Sequence, residues 1–261
     1  MPSDHEPDLV KSAHRALRIV HIFTEEPRPW AFEEIRDYLG YPKASLHGLL
    51  ATLVAERWLK KDETSRSYVL GIRAFETGAA YRRMFRFEEQ VRKVIARVNQ
   101  ATGETVQAAI LDGLEAVYVA KIEGKRLLRL DSEVGSRLPA HATGVGKMLL
   151  AMLPEAQLDR LLEGVELPRL TAKTIVDHAA LRRELARARS RGFSIDDEEA
   201  TEGARCIAVP IFDETSRCIA ALSTSVPTVH FNRATRKKLL DSLVPAARDF
   251  SAQLGYDSSY T

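Results

Sequence analysis

Apolar residues first recur at helical spacing. Ala16, Ile19, Val20 and Phe23 predict a helix over about residues 12–24, which Pro27 and Pro29 bring to an end. Phe32, Ile35 and Leu39 face one way in a second, short helix, with Glu33, Glu34, Arg36 and Asp37 facing the other. A third begins after Gly40 and Pro42, where Leu46, Leu49, Leu50, Leu53 and Val54 form one stripe over roughly 100° of the helix. Residues 58–61 and 67–70 then read as short strands around Asp62-Glu63-Thr64-Ser65-Arg66. Helix, tight turn, helix and hairpin is the order of a winged helix-turn-helix, a DNA reader. A further helix over 72–87 carries Ile72, Phe75, Ala79 and Arg83 on one stripe, besides Tyr81, Met84, Phe85 and Phe87. So much apolar surface on a connecting helix calls for a dimer or interdomain contact to cover it.

From residue 88 the pattern changes. A helix over 88–101 leads to strands 105–111 and 116–122 across an Asp112-Gly113 turn, with a strand near 126–130. Helices over 142–153, 155–162 and 178–191 follow. Strands at 193–196, 206–212 and 218–225 come next, and a long helix over 233–254 closes the chain. Hairpins flanked by helices indicate an α+β sensor-like domain with a largely antiparallel sheet rather than a doubly wound one. The expected organisation is a reader over 9–71, a linker helix over 72–87 and a C-terminal domain over 88–257.

The outward face of the third helix is unusual. Ala44, Gly48, Ala51 and Thr52, flanked by Ser45 and His47, are small and uncharged. Such a face lets a helix lie deep in the major groove, where alanine and threonine methyls can touch thymine methyls. A helix packed on both sides within the protein would look similar. Gly48, which costs on the order of 1 kcal/mol of helix propensity, favours the groove.

Charge divides the chain in the same way. Residues 1–42 hold five Lys/Arg against eight Asp/Glu, residues 43–86 hold nine against four, and residues 88–261 hold 24 of each. The positive segment starts at Lys43 and includes Lys60, Lys61 and Arg66 at the hairpin, where a wing meets phosphate or the minor groove. On charge alone a solvated helix face is an equal reading. Cys206 and Cys218, in apolar runs, suggest neither a disulfide framework nor a zinc finger, and fit a reducing cytoplasm. Met1 to Leu9 is acidic and has no signal-peptide pattern, and the longest apolar run, 148–153, is too short to span a bilayer.

Gly144-Val145-Gly146-Lys147 fails as a phosphate loop, because His141 and Met148 stand where glycine and Ser/Thr are required. It has a better use at a helix start, where free backbone N–H groups and the helix dipole favour a small carboxylate. An ordinary capped helix with glycines for close packing is the alternative. Ser223 and Ser225, two apart on a strand, share one face and line either a polar pocket or solvent. The acidic run Asp196 to Glu199 reads as a solvated loop, Cys206 as an inert core thiol, and His141 as a ligand or a cap. No nucleophile elbow and no paired histidine spacing is present, so neither catalysis nor a metal or cofactor is expected. An enzyme of small organic acids or amides using Cys206 or Ser223 is the runner-up. A DNA-binding protein whose second domain only oligomerises is the third reading.

Three segments in this order resemble the IclR family of bacterial transcriptional regulators. They are Pro42 to His47 with Leu49 to Leu53, Gly135 to Ala151, and Gly192 to Glu199 followed by Gly203 and Cys206 to Asp213. The resemblance implies a winged helix-turn-helix on a palindromic operator, a linker helix, and a GAF/PAS-like effector domain in a homodimer or homotetramer. It also implies a small organic acid, aliphatic or aromatic, as effector. Carried over by position, Gly144 and Val145 offer N–H groups to the carboxylate. Asp196, Cys206, Ser223 and Ser225 form the polar wall, and Leu127, Leu130 and Leu138 the apolar one. Where the family often has arginine, this chain has Gly48, so Lys43, Ser45 and His47, or DNA shape, carry more of the base readout.

Overall fold

The computed structural model describes residues 9–62, 64–84, 87–125, 130 and 132–257; the side chains of 81–89 are outside the description. The expected linker contacts of Tyr81, Arg83, Met84, Phe85 and Phe87 therefore lie outside the described residues. So does the strand expected near 126–130, apart from Leu130, which belongs to no strand. Contacts divide the chain into two compact units, residues 1–86 and 87–261.

In the first unit, α1 (Lys11–Glu25), α2 (Phe32–Leu39) and α3 (Lys43–Ala55) close around Ile19, Ile22, Phe23, Ile35, Leu46 and Leu50. Gly40 ends α2 in the left-handed conformation, at φ 65°, which glycine adopts without steric penalty. Strands β1 (Trp30–Ala31), β2 (Leu59–Asp62) and β3 (Ser67–Leu70) form an antiparallel sheet in the order β1-β3-β2. The two-residue strand β1 is unexpected. It pairs Trp30 with Tyr68 and seals the core with the indole. The strand β2 starts one residue later than the pattern suggests, for a definite reason. Arg57 is left-handed (φ 62°) and the Trp58 N–H donates to the Leu53 carbonyl oxygen at 2.9 Å, so Trp58 still belongs to the helix cap. The connecting helix α4 spans Ile72–Met84.

The second unit is a six-stranded antiparallel sheet in the order β6-β5-β4-β9-β8-β7. Its strands are β4 (Thr105–Asp112), β5 (Glu115–Ile122), β6 (Arg137–Pro139), β7 (Ser194–Asp197), β8 (Ala204–Phe212) and β9 (Cys218–Pro227). Alternation along the strands gives the sheet two apolar faces. Helices α5 (Phe87–Thr102) and α9 (Arg233–Gln253) cover one, through Val91, Ile95, Leu239, Leu243 and Phe250. Helices α6 (Gly144–Met152), α7 (Glu155–Leu162) and α8 (His178–Arg191) cover the other. The expected α+β class with an antiparallel sheet is what the chain adopts. The edge strand β6 is too short to carry a period and was not anticipated. Pro139 suits an edge, where its missing N–H costs no ladder bond.

Candidate functional sites

Helix α3 buries Leu46, Leu50 and Leu53 and exposes Lys43, Ala44, His47, Gly48, Ala51 and Thr52. It is therefore not packed on both sides within its unit. A Cβ built on Gly48 meets nothing within 4 Å, so packing does not require that glycine. The Thr52 hydroxyl donates to the Gly48 carbonyl oxygen at 2.9 Å, its intrahelical partner. Ser45 is half-buried and accepts from Arg15 Nη1 at 3.4 Å, which ties it to α1. The His47 ring stands 5.8 Å from that of Phe32.

Lys43, His47 and Ala51 face Lys61, Arg66 and Tyr68 across an open groove of about 810 Å³ between α3 and the β2–β3 wing. The wing tip is set by Asp62, which accepts from the Thr64 N–H at 2.9 Å and the Ser65 hydroxyl at 2.7 Å. Arg66 is left-handed there, at φ 53°. Because side chains alternate along a strand, Lys60 lies on the other face from Lys61, away from the groove. Of the DNA-contact candidates, the groove thus gathers Lys43, His47, Lys61 and Arg66, with Ala44, Gly48 and Thr52 on the same exposed helix.

The second site is a cavity where α6 meets the sheet. Asp196, Cys206 and Ser225 form one row across β7, β8 and β9 by register, and Ser223 pairs with Gln107 on β4. Gly144 lies flat on this row: a Cβ there would stand 3.3 Å from that of Cys206. Gly146 is packed more tightly still, since its Cβ would fall 2.3 Å from Ala140 backbone atoms. The glycines thus serve close packing, and they let the start of α6 lie against the sheet. Thr143 caps α6 by accepting from the Gly146 N–H at 3.0 Å. Gly144 and Val145, whose N–H groups precede the first intrahelical bond, line the cavity.

The cavity gathers Leu130, Leu138, Gly144, Val145, Asp196, Cys206, Ser223 and Ser225, all singled out from the sequence, whereas Leu127 lies outside the described residues. Gln107, Tyr118, Ser132 and Thr201 line it as well and were missed. The solvent-facing alternative for the serines is excluded, since Ser223 is 2% and Ser225 1% exposed.

Burial dominates the electrostatics of the cavity. Burial raises the Asp196 carboxyl to about 7 against the opposing pull of Lys147. Its Oδ1 accepts from the Glu199 N–H at 2.7 Å. Burial also raises the Cys206 thiol, which sits 3.1 Å from the Ser225 hydroxyl, a setting opposite to that of an activated nucleophile. The acidic run is not a solvated loop: Asp196 and Glu199 are buried, and Glu199 pairs with fully buried Lys147. His141 does not line the cavity. Its Nε2 lies 2.9 Å from the Pro168 carbonyl oxygen, and burial lowers its pKa. Among the described residues no cluster of His, Cys, Asp and Glu could hold a metal, and no helix is long and apolar enough to cross a membrane.

Residues 12–63 match the IclR helix-turn-helix domain and residues 82–252 the bacterial transcriptional regulator IclR C-terminal domain. The chain belongs to the IclR family. It is 36% identical over 248 residues to the HTH-type transcriptional regulator XynR of Escherichia coli, covering 95% of this chain and 98% of that one. It is 33% identical over 220 residues to the transcriptional repressor IclR of the same organism, covering 84% and 80%. An IclR homolog from Microbacterium hydrocarbonoxydans, solved in complex with 4-hydroxybenzoate, superposes with a TM-score of 0.81 at 26% identity, covering 92% and 99%. The family is one of DNA-binding transcriptional regulators and not of enzymes, which sets aside the nucleophile reading of Cys206 and Ser223.

Proposed function

We propose that this protein is an effector-responsive regulator, a repressor of catabolic genes, that binds a palindromic operator as a homodimer or homotetramer in the cytoplasm. A small organic acid, held in the cavity of the C-terminal domain, alters operator binding. The observation that carries this reading is the convergence of the α6 N-terminus with two buried serines and a carboxyl near neutrality. Free N–H groups and a helix dipole attract a carboxylate. The Ser223 hydroxyl has no hydrogen-bond partner among the described residues, so it is available to a guest. Asp196, whose carboxyl burial raises to about 7, carries less negative charge at neutral pH than an ordinary carboxylate and so repels one less. Support from relatives is the 4-hydroxybenzoate complex of the Microbacterium homolog.

The cavity measures about 20 Å³, room for about one water. An organic acid therefore enters only if the lining moves apart, and that movement is what a regulator needs. Binding favours the opened form and biases the reader through the chain joining the two units.

Selection from a random duplex library with the full-length protein tests the reader, and release of the selected duplex by added acids tests the response. A palindrome whose occupancy changes with an acid is the expected result. Absence of any enrichment at low salt, with and without acids, would sink the reading.

A further inference from the structure

We propose that Tyr68 is a further DNA-contacting residue, whose phenol hydroxyl, on the floor of the groove between α3 and the β2–β3 wing, donates to a backbone phosphate. The inference rests on the reading of that groove as the DNA-binding surface and concerns which part of the duplex enters it.

Sheet register places the residue. Tyr68 on β3 stands between Trp30 on β1 and Lys61 on β2, and residues directly opposite one another share a face of the sheet. Trp30 is buried in the core of the unit, whereas Lys61 is exposed. Tyr68 bridges the two settings: it is 8% exposed and belongs to the same core, yet it lines the groove. Its hydroxyl has no hydrogen-bond partner among the described residues. Nor is that oxygen sealed from solvent, so it opens into the groove. Phenylalanine would fill the core with the same ring and leave no polar atom there.

The walls determine what the groove accepts. Lys43 and His47 stand on the helix side and Lys61 and Arg66 on the wing side, and among the described residues no carboxylate lines it. Asp62, next to Lys61, is engaged at the wing tip by Thr64 and Ser65. The rest of the floor, Leu50 and Val54, is apolar, which leaves the Tyr68 hydroxyl as the donor at depth. The order of grooves on a duplex then selects the phosphate. With α3 in the major groove, the wing meets the adjacent minor groove. One sugar-phosphate strand separates those two grooves, so it crosses the gap between α3 and the wing, over Tyr68. Cations flank that strand from both sides, and a phenol O–H beneath it supplies a directed, uncharged bond to a phosphate oxygen. The hydroxyl gives up no protein partner in forming it.

Fluorescence anisotropy of the full-length protein on the library-selected duplex and on an unrelated one, over a range of salt concentrations, tests this with Tyr68→Phe, which removes a single oxygen. Binding to both duplexes should weaken alike, by about three- to tenfold, the weight of one neutral hydrogen bond. The dependence of affinity on salt should stay that of the wild type, because no charge is lost, whereas Lys61→Ala should flatten it. Urea unfolding should find the variant at least as stable as the wild type. Methylphosphonate placed at one phosphate of a half-site at a time should, at one position, weaken the wild type more than Tyr68→Phe; equal weakening of the two proteins at every position overturns the inference. Wild-type affinity in Tyr68→Phe overturns it as well, and leaves the groove reading standing if Lys61→Ala and Arg66→Ala still weaken binding. If those two also bind as the wild type does, both fall. Weakening on the selected duplex alone would put the hydroxyl on a base edge, and weakening together with lost stability would make it structural; either result overturns the phosphate contact.

Discussion

Lys147 on α6 and Glu199 in the turn after β7 form an ion pair in the protein interior, with the lysine fully buried. The pair does more than join two elements. The Glu199 N–H donates to Asp196 Oδ1, so the turn that the pair holds is the one that presents the cavity carboxyl. Glu199 Oε2 has no hydrogen-bond partner among the described residues. Losing the lysine would therefore strand a buried charge. Lys147→Met is expected to cost about 3–5 kcal/mol in urea unfolding, whereas Lys147→Met with Glu199→Leu should recover most of that. A single-variant loss below about 1 kcal/mol, the range of surface pairs, would show that the interior contact contributes little.

The two glycines of α6 should separate folding from ligand response. Alanine at Gly146 would place its Cβ 2.3 Å from the Ala140 carbonyl oxygen, which is backbone and cannot turn aside. Gly146→Ala is expected to destabilise by about 3 kcal/mol or more, beyond ordinary overpacking. Alanine at Gly144 meets side-chain atoms only, at 3.3 Å or more. Gly144→Ala should cost about 1 kcal/mol, fold normally by circular dichroism and still bind operator. Its methyl enters the cavity, so the response to acids should be lost. Retention of a full response in a folded Gly144→Ala would remove α6 from the binding site.

What the sequence made legible follows from short-range geometry. Ser223 and Ser225 share a face because strand period is fixed at two, and the start of α6 is marked by Thr143 and its glycines. Gln107 and Ser132 were invisible because only sheet register and a loop bring them to the same cavity. Within the acidic run nothing distinguishes the inward Asp196 and Glu199 from Asp197 and Glu198, which pair with Arg205 and Lys173. The turn decides, with Glu198 left-handed at φ 63°. The one-residue error at β2 has the same origin, since arginine in a left-handed helix cap leaves no pattern.

Asp196 gives stability and ligand binding a pH dependence of known sign. Its carboxyl rises from an ordinary 3.8 to about 7 in the fold, through burial. The folded state therefore binds the proton more tightly than the unfolded one. The stability this contributes is fully present below about pH 4, is lost as pH rises, and is gone above about pH 7. Asp196→Asn, which carries no charge to bury, should gain on the wild type across that window, by several kcal/mol at most at pH 8. Parallel unfolding curves at pH 5 and 8 measure it, and an equal difference at both would contradict the assignment. An anionic effector beside Asp196 raises its carboxyl further, so binding should take up a proton above pH 7. Titrations in buffers of different ionisation enthalpy would detect that uptake.

Gly48 offers the sharpest test of the reader. It lies exposed on α3, and a Cβ there meets nothing within 4 Å, so a long side chain fits without disturbing the unit. Gly48→Arg should raise helix propensity by about 1 kcal/mol and keep the fold. Against DNA it presents a guanidinium where the wild type presents none, able to bond guanine O6 and N7 for roughly 1–3 kcal/mol of discrimination. The selected operator should then gain a guanine in each half-site. Lys61→Ala and Arg66→Ala act differently: they should weaken all duplexes alike and reduce the salt slope by about one phosphate contact each. Lys60→Ala, on the far face of β2, should change it less. If Gly48→Arg left the selected sequence unchanged while Lys61→Ala and Arg66→Ala weakened binding, α3 would sit too shallowly in the groove for position 48 to reach a base, and readout would fall to His47 and to DNA shape.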